Sequence, residues 1–179
     1  MTRLPHARLD HLGIYTVHLE AMLAFYQRWF GMVESDRGTA LSSEQVVFLT
    51  ANLEQHHQLV LLAGRPPGLA STINQISFRV DDLEVLREMY RALVADDVPV
   101  LQQVDHGNTW SVYVPDPDGN RVEIYCHTPW YVPQPINWPL NLDLSTATIF
   151  ERTRAMAQVQ PGYQPREVWM AGIAERLRA

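Results

Sequence analysis

Three polar side chains lie in segments of otherwise apolar, strand-like sequence. Glu123 lies in NRVEIYCH, His11 in DHLGIYTV, and Gln75 in INQISFRV. A carboxylate in an apolar strand is costly unless something compensates its charge. An imidazole nitrogen, an amide oxygen and a carboxylate around one point are a donor set that suits a divalent metal. The sequence therefore predicts one metal site formed by His11, Gln75 and Glu123.

Strand alternation supports a common face for these residues. Val122, Ile124 and Cys126 alternate as one apolar face, which leaves Glu123 on the other face. By the same rule Gln75 lies opposite the apolar residues of its strand, and His11 lies opposite Leu12 and Ile14, which we expect to pack on a helix. In TWSVYVP the apolar face is Trp110, Val112 and Val114, so Ser111 and Tyr113 point into the same cleft as Glu123.

His57 is less constrained, because HQLVLL is apolar on both faces. It precedes Glu123 by 66 positions, close to the period of the repeat described below, so the two residues could be equivalent. We expect His57 near the metal, as an acid/base or as a fourth ligand. Other readings stay open: Glu123 could pair with Arg121 or Arg79, His11 could bond to backbone, and His56 with His57 could form a turn.

The elements that would position these residues occur twice. DHLGIYTV is followed by the amphipathic segment LEAMLAFYQRWFGM, and INQISFRV is followed by DDLEVLREMYRALVADD. His11 aligns with Gln75 and Leu19 with Leu83, at a constant offset of 64 positions. The shared order of strand, LE and helix predicts an internal repeat.

Each half continues with three further strand-like segments, and DPDGN (116–120) is a strong turn signal between the last two. The pattern of each half is therefore β-α-β-β-β. We predict an α+β fold in which paired βαβββ modules form a curved mixed sheet around a metal cleft, with a C-terminal arm and helices.

The predicted boundaries are 1–128 for this domain, with modules at about 8–66 and 72–128, and 129–179 for the arm and helices. Four prolines between Pro129 and Pro139 predict an extended arm. Ser145 is expected to cap a helix over 146–158, and a second helix is expected from Pro165. The aromatic residues of the arm predict that it packs on the domain or on a neighbour in a homo-oligomer.

Composition excludes several classes of protein. The chain has 179 residues, 46% of them apolar and 19% charged, which is typical of a globular protein. A net charge of −6 argues against nucleic acid or a membrane as a partner. A single cysteine excludes an internal disulfide and fits a reducing compartment. With no apolar N-terminal run, the expected location is the cytoplasm.

Five stretches resemble the vicinal oxygen chelate superfamily: LDHLGIYT, EQHHQLVLL, INQISFRVDDLE, VDHGNTWSVYV and DPDGNRVEIYCHTPWY. DPDGNRVEIY is common across the superfamily, whereas HHQL, HGN and SVY in this order are similar to the catalytic domain of type I extradiol catechol dioxygenases. The resemblance implies that His11 and Glu123 are metal ligands and that His57 is an acid/base. It further implies that His106 and Tyr113 hydrogen-bond the substrate.

One position departs from the dioxygenase pattern. Where those enzymes have a His-His pair whose second member is an iron ligand, this chain has Asn74-Gln75. The resemblance implies one divalent metal, Fe(II) before Mn, Ni, Co or Zn, with a catechol-type small molecule and O₂ as substrates. Glutamine ligands occur in relatives resembling glyoxalase I and methylmalonyl-CoA epimerase, so a metal-dependent isomerase, epimerase or lyase is the alternative. A small-molecule binding protein on the same fold is the third possibility, and we expect a one-domain form.

Overall fold

The computed structural model describes residues 7–40 and 44–178, which form two compact units. The first unit comprises the chain up to Thr72 together with Asp116–Gly119. The second comprises Ile73–Pro115 and the chain from Asn120 onwards. Each predicted βαβββ module therefore has a compact unit built around it.

The first unit has the element order β1 (Leu12–Thr16), α1 (Leu19–Phe30), β2 (Val33–Thr39), β3 (Gln45–Thr50) and β4 (Leu59–Ala63). The strands form a mixed sheet in the order β1-β4-β3-β2, with β1 parallel to β4 and the other pairs antiparallel. Met22 and Tyr26 of α1 are fully buried, as are Val47, Leu49 and Leu61 of the sheet. Of the two residues expected to pack in β1, Ile14 is buried, whereas Leu12 is 41% exposed and does not pack as expected.

The predicted DPDG turn caps α1 within the first unit. The Asp118 carboxylate accepts hydrogen bonds from Thr16 Oγ1 (2.6 Å), from the backbone N of Val17 (2.7 Å) and from the backbone N of His18 (3.1 Å). His18, the N-cap residue, makes no capping bond with its own side chain. A carboxylate at a helix N-terminus satisfies free N–H groups and opposes the helix dipole, so Asp118 stabilises the start of α1.

The second unit repeats this order with β5 (Ile76–Arg79), α2 (Leu83–Ala95), β6 (Gln102–Asp105), β7 (Thr109–Pro115) and β8 (Arg121–His127). Its sheet has the order β6-β7-β8-β5, with β5 parallel to β8. A short strand from the C-terminal part of the chain, β10 (Trp138–Pro139), extends this sheet beside β6. The alternation predicted for β7 and β8 is confirmed, because Trp110, Val112, Val114, Val122, Ile124 and Cys126 are all buried.

The rest of the chain belongs to the second unit and contains β9 (Trp130–Tyr131), β10 (Trp138–Pro139), α3 (Thr146–Gln158), β11 (Gln164–Pro165) and α4 (Arg166–Arg178). The side chain of Ser145 accepts a hydrogen bond from the N of Thr148, which confirms the predicted cap. Trp130 is 4% exposed, and β10 pairs with β6. The arm therefore packs on its own unit, and the homo-oligomer stays a prediction.

The α+β class and the paired βαβββ modules are confirmed. Each module forms a mixed sheet of its own, and β9 pairs with β11 in a separate two-stranded sheet, so the described strands do not make a single continuous sheet. Among the residues described, none of the helices is long and apolar enough to cross a membrane.

Candidate active site

Glu123 faces three neutral hydrogen-bond donors. Its Oε2 accepts from Gln75 Nε2 (2.7 Å) and from Ser77 Oγ (2.6 Å), and its Oε1 accepts from Tyr113 Oη (2.6 Å). The residue is only 7% exposed. Hydrogen bonds from neutral groups lower the cost of burying a carboxylate but supply no opposite charge.

Pairing of Glu123 with an arginine was the alternative reading, and it is wrong for the described residues. The guanidinium of Arg121 lies 3.8 Å from the ring centroid of Tyr113 and donates to Gln102 Oε1. Arg79 is exposed and lies opposite Tyr125 in the pairing of β5 with β8. Within residues 7–40 and 44–178, Glu123 makes no ion pair.

Strand register brings these donors together. Ser77 on β5 and Tyr113 on β7 both lie directly opposite Glu123 on β8, the strand between them. Directly opposite residues place their side chains on the same face of a sheet. Gln75, just before β5, reaches the same carboxylate. Sequence reasoning missed the contact of Ser77 with Glu123, because alternation gives the face of a residue and not its register.

Tyr113 also connects Glu123 to His106. Its Oη lies 3.0 Å from His106 Nε2, and His106 Nδ1 lies 2.6 Å from the backbone O of Ile136. A carbonyl oxygen only accepts, so the proton is on Nδ1. Burial, followed by the bond to Glu123, raises the pKa of Tyr113 above its ordinary value, so the phenol keeps its proton. The single hydroxyl proton of Tyr113 goes to Glu123 Oε1, so Oη is bonded to His106 Nε2 only when that nitrogen also carries a proton and donates. His106, Tyr113 and Glu123 thus lie in one row of polar groups in contact.

The C-terminal arm holds His106 in this row. Gln134 Nε2 donates to the backbone O of His106 (2.7 Å), and Gln134 Oε1 accepts from the N of Ile136 (3.0 Å). Gly107 has φ of +76°, and a Cβ there would lie 2.6 Å from Cγ2 of Val132. The HGN motif therefore needs glycine, since the arm leaves no space for a side chain. Sequence reasoning missed Gln134 and Ile136, and nothing in their spacing identified them.

The predicted histidines of the first unit lie together in loops that precede strands. The rings of His11 and His57 have centroids 4.2 Å apart. His11 Nδ1 lies 3.3 Å from Asp10 Oδ2, and Asp10 Oδ1 accepts from Gln55 Nε2 (2.8 Å). A carboxylate on one ring nitrogen is the usual support of a metal-binding histidine. His11 Nε2 therefore remains available as a ligand.

His57 Nδ1 lies 2.8 Å from His56 Nδ1, so one of the two rings donates to the other. Partial burial, followed by the positive charges that His11 and His56 can carry, lowers the pKa of His57. A lowered pKa favours the neutral ring near pH 7, which is the form that accepts a proton.

The suggested equivalence of His57 and Glu123 is wrong. Glu123 lies opposite Ser77, whose counterpart in the repeat is Gly13, and Gly13 lies opposite Val60. His57 precedes β4, whereas Glu123 lies inside β8. His11 and Gln75 do keep their equivalence, since each is the residue directly before the first strand of its module.

Each unit thus collects part of the predicted set: Gln75, Glu123, Tyr113 and His106 in the second, His11 and His57 in the first. Among the described residues there is no group of three or more His, Cys, Asp or Glu side chains suited to a metal ion. The predicted ligands contain only one histidine and one glutamate, with Gln75 as the third. Gln75 Oε1 accepts no hydrogen bond from any described residue, and it belongs to an amide that touches the buried Glu123. An available amide oxygen beside an uncompensated carboxylate fits a divalent cation.

Comparison with known proteins identifies related chains. The family model described as Glyoxalase/Bleomycin resistance protein/Dioxygenase superfamily matches residues 8–124. Biphenyl-2,3-diol 1,2-dioxygenase 2 of Rhodococcus globerulus is 30% identical over 130 residues. The match covers 69% of this chain and 64% of the relative, so the chain spans less than two thirds of that protein.

Solved structures share the fold. A lactoylglutathione lyase from Agrobacterium tumefaciens superposes with a TM-score of 0.51 at 24% identity, over 69% of this chain and 96% of that one. The fosfomycin resistance protein FosX from Listeria monocytogenes, crystallised with Mn(II) and sulfate, has a TM-score of 0.56 at 19% identity, over 69% and 95% of the two chains. At these identities the likeness concerns the fold alone.

Proposed function

Because the chain belongs to the Glyoxalase/Bleomycin resistance protein/Dioxygenase superfamily, whose members are mostly metal-dependent enzymes, we propose that it is a ring-cleaving dioxygenase of the extradiol type. Its substrates are a catechol-type aromatic compound and O₂. The observation that carries the proposal is the row His106–Tyr113–Glu123, which places two neutral hydrogen-bonding groups beside a buried carboxylate. The proposed roles of His106, Tyr113 and Glu123 all require this arrangement.

The proposed metal ligands are His11, Gln75 and Glu123, with Fe(II) favoured over Mn, Ni, Co and Zn. When bound, the metal supplies the redox chemistry by which O₂ reacts with an electron-rich aromatic ring. An amide oxygen is a harder and weaker donor than imidazole, so Gln75 lowers the affinity for Fe(II) relative to a two-histidine site.

The side chains of this row orient the substrate. A catechol oxygen that reaches Tyr113 Oη accepts the hydroxyl proton in place of Glu123 Oε1, and His106 Nε2 is the next group in the row. Because Nδ1 of His106 is held by the carbonyl of Ile136, a proton that arrives on the ring enters and leaves at Nε2. The row can therefore bind the substrate oxygen and share its proton without a movement of the backbone.

His57 is the proposed acid/base. Its Nε2 makes no hydrogen bond to a described residue, and its lowered pKa favours the neutral ring near pH 7. In the tautomer whose Nδ1 donates to His56, Nε2 is the unprotonated nitrogen. His57 takes a proton at Nε2 when the catechol binds and returns it as the ring opens. General acid–base catalysis by one such group contributes about 10²–10⁴-fold in rate.

Gln75 favours a second candidate, a metal-dependent isomerase, epimerase or lyase. A weaker ligand field suits stabilisation of an enolate better than oxygen chemistry, and His57 or Glu123 would then move the proton.

Ring opening by protein loaded with Fe(II) under anaerobic conditions separates these candidates. Addition of O₂ and a panel of catechols should give the visible absorbance of ring-opened products. Gln75→His should bind Fe(II) more tightly and raise this activity. If wild type and Gln75→His both leave every catechol intact, the dioxygenase proposal is wrong and the isomerase becomes the working hypothesis.

A further inference from the structure

Arg121 carries a positive charge to the face of the second sheet on which Glu123 lies. It is the first residue of β8, two positions before Glu123, so the two side chains share a face and lie about 7 Å apart along the strand. Its guanidinium is stacked on the ring of Tyr113, 3.8 Å from the centroid. Nη2 donates to Gln102 Oε1 at 2.8 Å, which fixes the plane of the group.

This guanidinium has no anionic partner among the described residues. Its Nε is buried and makes no hydrogen bond. Several other arginines are paired: Arg37 with Glu20 and Glu34, Arg87 with Glu84, and Arg154 with Glu151. A buried N–H donor that lacks an acceptor costs free energy, and it is most readily satisfied by a ligand that brings an acceptor.

The geometry of the arginine side chain indicates which class of ligand Arg121 would bind. Its planar guanidinium presents several N–H groups at once and matches the two oxygens of a carboxylate. A substrate whose ring oxygens reach Tyr113 and Glu123 would extend its substituent along β8 toward Arg121. Stacking on Tyr113 holds the guanidinium in place before binding, which reduces the conformational entropy lost on binding.

We propose that Arg121 is an anion-binding subsite and that the substrate is a catechol with a carboxylate on a short side chain. This inference rests on the proposed function, because it assumes that the catechol ring lies at Tyr113 and Glu123. It differs from what the name of the Rhodococcus relative describes, since biphenyl-2,3-diol carries no carboxylate.

The test compares two probes with the same ring, 3,4-dihydroxyphenylacetate and its methyl ester. Dissociation constants are measured anaerobically on the Fe(II)-loaded protein, so that binding is read without turnover. The wild type should bind the acid about tenfold to a hundredfold more tightly than the ester, the range that hydrogen bonds to charged groups give. In R121Q this preference should fall to about threefold or less.

Two variants make the outcome specific. R121K keeps the charge but not the planar group, so its preference for the acid should be intermediate. R79Q removes the exposed arginine on the neighbouring strand β5 and should keep the wild-type preference. Both variants also serve as controls for a misfolded R121Q, because each alters one arginine on the same sheet and its binding of the two probes can be measured separately.

Equal binding of acid and ester by wild type, with ring opening of the ester, would overturn the subsite and leave the proposed function intact. An unchanged preference in R121Q would assign Arg121 to stacking on Tyr113 alone, which also overturns it. If neither probe binds or is opened, the proposed function fails and the subsite fails with it.

Discussion

The two βαβββ modules have the same order of elements but different chemistry. The first module presents histidines, His11 and His57, in loops before β1 and β4, where their rings are partly exposed. The second presents Glu123 and Tyr113 from the middle of paired strands, where both are buried. Groups that exchange protons with a substrate need an accessible nitrogen, whereas a carboxylate that binds a cation gains from a low dielectric. The same order of elements therefore presents two different kinds of polar group.

Support from the rest of the chain differs as well. Asp118 stabilises the first module by capping α1, and it is far from His11 and His57 in the sequence. The arm reinforces the second module directly at the proposed substrate-binding residues, through Gln134, Ile136 and Val132. We therefore expect changes in the arm to affect His106, and changes at Asp118 to affect stability alone.

The largest expected effect is that of His57→Phe in the first module. Loss of the acid/base should lower ring-opening activity of the iron-loaded protein about a hundredfold or more, while the metal content stays nearly unchanged. Activity and metal content are measured on the same preparation. A variant that loses its metal instead would make His57 a fourth ligand.

Gly107→Ala should weaken the packing of the arm on the second module. The left-handed backbone and the short distance to Val132 should together cost about 2–4 kcal/mol of unfolding free energy. Gly119→Ala is the matched control, because Gly119 also has φ of +76° but has nothing within 4 Å of its Cβ position. It should cost only the backbone strain, about 1–2 kcal/mol.

Denaturant unfolding of both variants gives the difference between them, which measures how tightly the arm packs on the turn after His106. Equal losses in G107A and G119A would mean that the arm does not constrain this turn.

Asp118→Asn should have a smaller effect, on the stability of the first module. Burial alone would raise the pKa of Asp118, but the hydrogen bonds from Thr16, Val17 and His18 outweigh it and lower the pKa below the ordinary 3.8. Folding therefore favours the carboxylate, and its contribution is present above about pH 4 and is lost as the pH falls through the lowered pKa. We expect D118N to lose about 1–3 kcal/mol at pH 7.

Thermal or denaturant unfolding of wild type and D118N from pH 5 to pH 3 checks this. The difference in unfolding free energy should stay constant down to about pH 4 and then narrow. A difference that grows toward low pH would have the wrong sign for a carboxylate stabilised by folding.

Much of the fold could be predicted because local signals determined it. The alternation in β7 and β8 and the cap at Ser145 depend on neighbouring residues, and both are confirmed. The alignment of His11 with Gln75 is confirmed, but the structure places both residues directly before the first strand of their module and not within it, as the sequence had predicted.

Register and long-range contacts could not be predicted in this way. An offset of 66 positions could not show that Glu123 aligns with Val60 instead of His57, because register depends on pairing between distant strands. The contact of Ser77 with Glu123 was missed for the same reason. Leu12 looked like a core residue and shares a face with the buried Ile14, but it is the first residue of β1, and alternation does not say how far along a strand the core extends.

Anaerobic metal binding tests the central proposal most directly, namely that His11, Gln75 and Glu123 are ligands of one divalent metal. The wild type should bind one Fe(II) or Mn(II) per chain. Glu123→Gln should weaken this binding by more than about a hundredfold, beyond the scale of losing a hydrogen-bond partner of a ligand. Glu151→Gln, at an exposed glutamate on α3, should bind as the wild type does. Equal metal affinity in wild type and Glu123→Gln would contradict the account.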